Sequence, residues 1–459
     1  MRDWIDHISN AGSKPFRLLV AVALVTALSL AASAQDAPTA DAPSFPCGGT
    51  NPKGVVLWPL TKFTNAEFTN PGADCAMWQN FIYLNWPAAA GKRGVPDTSA
   101  AFGTPGTTVW ETFLTADQVF LPGGIAPQKW DESSTKSALP DGIAQQVAGG
   151  RMRLLSQKSK VSPAVAKVIK KVAANSPGLQ LTGIEQAFDS GILYDQQKVP
   201  VYYEVAMNKV QFDYIFGNQL YNANTQATFA ATTNIVLPTG SMELKAAWKV
   251  LTPAETNSGR FHTAKGFIPG SNGNGQNVDI GLVGMHVFAS EGKENAGLWA
   301  TFYQIDNAPV QGGSNKGPFS FNNPASNAAT NSNTTNPTQV VQVFADDPSS
   351  VMETAEAQKM FRNANPASPW QYYAMIATQW SQAVLDLDTP VPATVPLSPG
   401  KPGQVLPGAT LVNPVLETFM QTKGTGCMSC HSAATIANSG SIASGFSFMF
   451  GRAQAPDKP

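Results

Sequence analysis

The chain has 459 residues, of which 43% are hydrophobic and only 13% charged, about half the usual charged share of roughly 25%. That content rules out global disorder, and the length favours two domains or one with large insertions. With 30 basic against 31 acidic side chains and a net charge of −1, nothing electrostatic points to nucleic acid as a partner.

Glycine (39) and proline (35) are frequent, which favours a loop-rich body over a helical array. Four Cys and four His leave a short set of residues for any metal chemistry. The N-terminus reads as a secretory signal peptide over residues 1–34. Arg2, Lys14 and Arg17 precede an apolar run that closes on Ala32-Ser33-Ala34, a small-residue cleavage pattern. A membrane anchor is the alternative, but the run is marginal against the roughly 20 residues a span needs. No other segment is long and apolar enough, so no membrane span is expected after cleavage, and the product is expected in the periplasm or secreted. In an oxidising compartment Cys47 and Cys75 are available to each other as a disulfide, which would stabilise the fold by roughly 3–4 kcal/mol. Two buried thiols are the plainer alternative.

Residues 35–387 are expected to form an α+β body with a central antiparallel sheet and surrounding helices. After a loose leader at 35–46, aromatics crowd Cys75–Pro87 and Thr108–Phe113. Residues 160–176 and Asn208–Tyr221 have helical spacing. Met242–Val250 alternates Met242, Leu244, Ala246, Trp248 with Glu243, Lys245 and Lys249, which predicts a half-buried strand. Val278–Phe288 and Leu298–Ile305 flank a polar turn at Glu291–Asn295 and predict a hairpin. Residues 311–337 read as a polar loop or disordered insertion. Helical pattern returns at Val351–Asn363 and Trp370–Leu385. Residues 388–410 are Pro-rich and read as an extended linker. Beyond it, Asn413 is expected to cap a helix opened by Pro414, with Glu417 near its positive end.

Cys427-Met428-Ser429-Cys430-His431 is C-x-x-C-H, the attachment pattern of haem c. Two thiols on one helical turn add across the porphyrin vinyl groups, and the adjacent imidazole becomes the proximal iron ligand. A thioredoxin-like dithiol would want a βαβ setting that the flanks lack. A zinc site would need donors from His262 or His286. Residues 411–459 are therefore expected to form a haem c attachment segment, one haem covalently bound through Cys427 and Cys430 with His431 on the iron. The stretch after His431 is too short to complete a class I cytochrome fold, so the segment is expected to dock on the upstream body. Met449 and His286 are the candidate distal ligands, with His262 a lesser one and an open site the remaining option. His286 is expected on the strand face of Ile280, Leu282 and Phe288. Glu111, Asp117, Asp213 and Asp306 read as surface or capping carboxylates.

The set LNWP (84–87), VWETF (109–113), FDYIFGNQLYN (212–222), MELKAAWKVL (242–251), GLVGMHVF (281–288), LWATFYQIDNAP (298–309) and CMSCH (427–431) resembles a family of secreted bacterial mono-haem cytochrome c family proteins of largely uncharacterised function. Where relatives tend to read W-x-W-x-T-F-E, this chain ends that motif on Tyr303. The resemblance implies haem at Cys427, Cys430 and His431, and electron transfer with a periplasmic redox partner. An oxidoreductase whose large body binds a small organic substrate is the alternative. A binding protein with haem as sensor is a third.

Overall fold

The sheet is built outward from one long strand. The computed structural model describes residues 70–132, 153–154, 191–269, 275–290, 297–313, 317–381, 390–397 and 410–456. All belong to one unit of the chain, Ser44–Pro459. The expected signal peptide, the leader, Cys47 and the helix at 160–176 lie outside the described residues. Among those described, no helix is long and apolar enough to cross a membrane.

The strands are β1 (Leu114–Thr115), β2 (Arg153–Leu154), β3 (Tyr202–Met207), β4 (Met242–Val250), β5 (Thr263–Pro269), β6 (Gly275–Ala289), β7 (Gly297–Gln304) and β8 (Tyr373–Ser381). At 15 residues, β6 is well over the usual strand length of about 5–6. One edge of it pairs with β4, beyond which lie β3 and β1. The other edge is shared, β5 taking residues 275–281 and β7 taking 284–289. β8 lies outside β7, and β2 lies outside β5. Every pairing is antiparallel except β2 with β5. With the helices α1 (Asn70–Leu84), α2 (Ala116–Val119), α3 (Lys209–Gly217), α4 (Ala223–Ala230), α5 (Pro253–Asn257), α6 (Pro348–Ala364) and α7 (Cys427–His431), the fold is α+β, as the sequence predicts.

One sheet face is packed by helices. Trp78, Phe81 and Ile82 of α1 are fully buried, and Trp78 meets Phe302 of β7 edge-on at 5.1 Å and Phe361 of α6 at 5.9 Å. Truncating one such aromatic costs about 3–5 kcal/mol. The other face is covered by the C-terminal stretch 410–456. Tyr203 of β3 donates to the Val415 carbonyl at 3.0 Å, and Asn413 donates to Thr301 Oγ1 and the Phe302 carbonyl, both at 2.9 Å. Gly284 permits that approach, because a Cβ there would lie 2.6 Å from Val415 Cγ2.

Four expectations need correction. Of the helix expected at Trp370–Leu385, the described part, 370–381, is not helical: a 3-10 turn at Pro369–Tyr372 leads into β8. Residues 373–376 and 378–380 are all buried, so both faces of that strand are covered and the period-two signature is lost. β4 is half-buried as expected only over its first half, where Glu243 and Lys245 alternate with buried Met242 and Leu244; Lys249 is only 2% exposed and pairs with Asp195 at 3.2 Å and Glu255 at 2.7 Å. Asn413 caps a turn rather than a helix; its Oδ1 accepts from Val415 N at 3.0 Å while its amide is committed to β7. The described part of the Pro-rich stretch, 390–397, is no free linker. Val395 N donates to Ser441 O, Leu397 N donates to Ser432 O, and Ala393 and Leu397 are buried.

β6 also departs from simple alternation. Ala247 faces Gly284 while Trp248 faces Leu282, so Val283 is a bulge residue that shifts the phase of the strand. Ile280, Leu282, Met285 and Val287 therefore oppose Val250, Trp248, Ala246 and Leu244 on the helix-packed side. His286 opposes Lys245 on the other side. It shares a face with Phe288 but not with Ile280 and Leu282, contrary to strict alternation.

Candidate functional site

The two glycines before the motif let the chain turn sharply into it: Gly424 has φ +87°, a conformation that favours glycine. The turn α7 is then pinned to the sheet, Met428 N donating to Gln379 Oε1 of β8 at 2.8 Å. Gly426 N donates to Ser429 Oγ at 2.8 Å and closes the first turn. Cys427 and Cys430 are free thiols. Burial pushes the Cys427 thiol far up and that of Cys430 up to about 11. An active redox dithiol depends on the opposite shift.

His431 is set up as a neutral donor. Burial lowers its pKa to about 4, and its Nδ1 lies 2.6 Å from the Phe446 carbonyl. A carbonyl only accepts, so Nδ1 carries the proton and the Nε2 lone pair stays available. Metal-bound histidines are commonly oriented in this way. The ring lies beside Trp299 at 6.0 Å and Phe448 at 5.0 Å.

These residues form part of the wall of a partly open cavity of about 110 Å³. Its lining is predominantly apolar, as is usual for ligand sites. The sheet supplies two cross-strand rows of that wall. One is Val205, Lys245, His286 and Thr301; the other includes Glu243, Phe288 and Trp299. Glu417, Met449 and Arg452 from the C-terminal stretch complete it.

Both candidate distal ligands thus reach the cavity of the motif, on different walls. Met449 is buried, its sulfur 3.4 Å from Gln211 Nε2, in the same stretch that holds the Phe446 carbonyl. His286 stands on the sheet wall with Nε2 3.2 Å from Glu417 Oε2, and Glu417 also accepts from Asn413 N at 2.9 Å.

His262 is placed elsewhere. Its Nε2 lies 3.0 Å from Glu111 Oε2, the two side chains being 7% and 2% exposed. Its ring stacks on Trp370 at 4.7 Å and lies 6.2 Å from Trp248, on the helix-packed side. Glu111 is therefore no surface carboxylate. Burial alone would push it up, but His262 and Arg153 outweigh burial and hold it below the ordinary range. The other carboxylates of that group are paired, Asp117 with Arg452, Asp213 with Lys209 and Asp306 with Arg260. Among the described residues no group of three or more His, Cys, Asp or Glu could hold a metal ion, so a zinc-type arrangement lacks its donors there. Cys75 is buried on α1; its expected disulfide partner, Cys47, is outside the described residues.

Sequence reasoning missed Glu243, Lys245, Glu417 and Trp299 as cavity residues. The charges of β4 resemble a solvated face, and only the docking of 410–456 turns that face into a wall. No family model, curated protein or solved structure matches the chain.

Proposed function

We propose that the chain is an exported mono-haem c-type cytochrome that carries electrons to or from a periplasmic partner. Cys427 and Cys430 would hold the porphyrin as thioethers, and His431 would ligate the iron. The observation that carries this reading is the pairing of C-x-x-C-H with a predominantly apolar cavity, His431 being held neutral with its proton on Nδ1. The residues fit the group on a further count: Trp299, 3% exposed in the cavity wall, has an indole N–H without a partner. A bound group with polar substituents would supply the missing acceptor. Haem c in this position would supply a one-electron redox centre, its iron electronically tuned by axial ligation and burial. The chain itself orients the imidazole through Phe446 and presents His286 with Glu417 on the sheet wall. His286 and Met449 both stand in the cavity as distal candidates, each with one partner, Glu417 and Gln211 respectively.

A second reading, a haem-dependent oxidoreductase with a small substrate in the cavity, is favoured by one observation. Glu243, Lys245, His286 and Glu417 line the same cavity as the motif, which is more titratable chemistry than electron transfer needs.

Absorption spectra of the exported holoprotein test both readings. Electron transfer predicts a reducible, six-coordinate, low-spin spectrum that is lost with covalent haem in C427S/C430S. A high-spin ferrous form that binds CO rapidly would favour the oxidoreductase. A chain exported without covalent haem would sink both.

A further inference from the structure

We propose that Lys245 makes the cavity a binding site for a small inorganic anion beside the haem attachment point. The inference rests on haem attachment at this site in the second reading above, in which the iron keeps an open position. The charges of the cavity are otherwise accounted for. Arg452 pairs with Asp117 at 3.1 Å. Glu243 accepts from Ser447 Oγ at 2.5 Å and from Gln211 Nε2 at 3.0 Å, and burial pushes it towards the protonated form. Glu417 is held by His286 and by Asn413 N. Lys245 alone of these groups makes no hydrogen bond or ion pair with any described residue. It opposes His286 across β4 and β6 and lies close enough to Cys430, Glu417 and Glu243 for their charges to act on it.

An unpaired ammonium in a half-buried, apolar-lined cavity is costly, and burial lowers its proton affinity accordingly. An anion entering the cavity removes that penalty. The unpartnered Trp299 indole N–H adds a second donor in the same wall. The site therefore has an excess of donors over acceptors, which suits a small anion able to ligate ferric iron and disfavours a neutral ligand.

The test is a titration of the ferric holoprotein with azide, followed by absorption and electron paramagnetic resonance, with imidazole as neutral probe. Haem content is measured in parallel for wild type, K245M and K245R. The expected result is azide affinity lower by roughly tenfold or more in K245M, the order for one lost charge-assisted contact, retained affinity in K245R, and unchanged imidazole affinity in both. Equal azide affinity in K245M and wild type, each with full haem, overturns the anion site and leaves the haem reading intact. A potential shift in K245M without loss of azide affinity also overturns it, assigning Lys245 to a porphyrin carboxylate. A spectrum that loses its sixth ligand in K245M assigns the amine to the iron and overturns it as well. A chain without covalent haem overturns both proposals together.

Discussion

The sheet carries a histidine–glutamate pair on each of its two faces, and the pairs differ in what surrounds them. Glu111–His262 is sealed under α1 by Trp248 and Trp370, with the Thr108 N–H and hydroxyl also donating to Glu111 Oε2 and Arg153 donating to the Glu111 backbone carbonyl. Glu417–His286 is 15% and 23% exposed and opens on the cavity of the C-x-x-C-H turn. The same two side-chain types therefore serve different ends. A sealed pair whose shared Oε2 also takes both Thr108 donors holds the chain in place, whereas a pair left at a cavity wall keeps hydrogen-bonding capacity for something else.

The largest effect that separates them is expected from Glu111→Ala. Leaving the buried His262 ring and Thr108 without their acceptor should cost about 3–5 kcal/mol in denaturant unfolding; a loss under about 1 kcal/mol would remove the structural role of the sealed pair. Next is a carboxylate outside both pairs. Burial raises Asp346 to about 6, while hydrogen bonds from Gln342 at 2.7 Å and Tyr303 at 2.8 Å pull the other way. Its folded pKa lies above the unfolded value, so its contribution is complete below about pH 4 and lost as pH rises through 6. Wild-type stability should therefore fall by roughly 2 kcal/mol relative to Asp346→Asn between pH 4 and pH 8. Parallel curves for the two proteins would refute the shift.

Glu417→Gln should change stability by less than about 1 kcal/mol yet move the haem absorption or the reduction potential. A large stability loss with an unmoved spectrum would make the two pairs equivalent. The smallest effect belongs to Lys209→Ala. Its pair with Asp213 at 2.6 Å is more than half exposed, and such i,i+4 pairs give about 0.3–0.5 kcal/mol. A cost above 1 kcal/mol there would mean that burial is not what ranks these ion pairs.

Local signals in the sequence located the motif, β4, the β6–β7 hairpin and the helices at 209–217 and 348–364, because each depends on spacing within one segment. β8 was misread as helix because both its faces are buried and the alternation disappears. Lys245 and Glu243 looked like a solvated face since no local pattern announces that 410–456 folds back over β4. Glu111 and His262 are 151 positions apart, and nothing in either segment predicts their meeting. What was legible was chemistry confined to five consecutive residues; what was not was chemistry assembled by topology.

The bulge at Val283 has a consequence for the whole arrangement. A strand of strict period two would present one set of side chains along its length, and its second half would turn His286 to the helices and Met285 and Val287 to the cavity. One added residue lets the first half of β6 obey one parity and the second half the other, so a continuous ladder is both packing surface and chemical surface. The same residues paired in strict register, without the bulge, would exchange the two surfaces, turning an imidazole toward the aromatic core and Met285 and Val287 to the wall beside Cys430, with no change in composition.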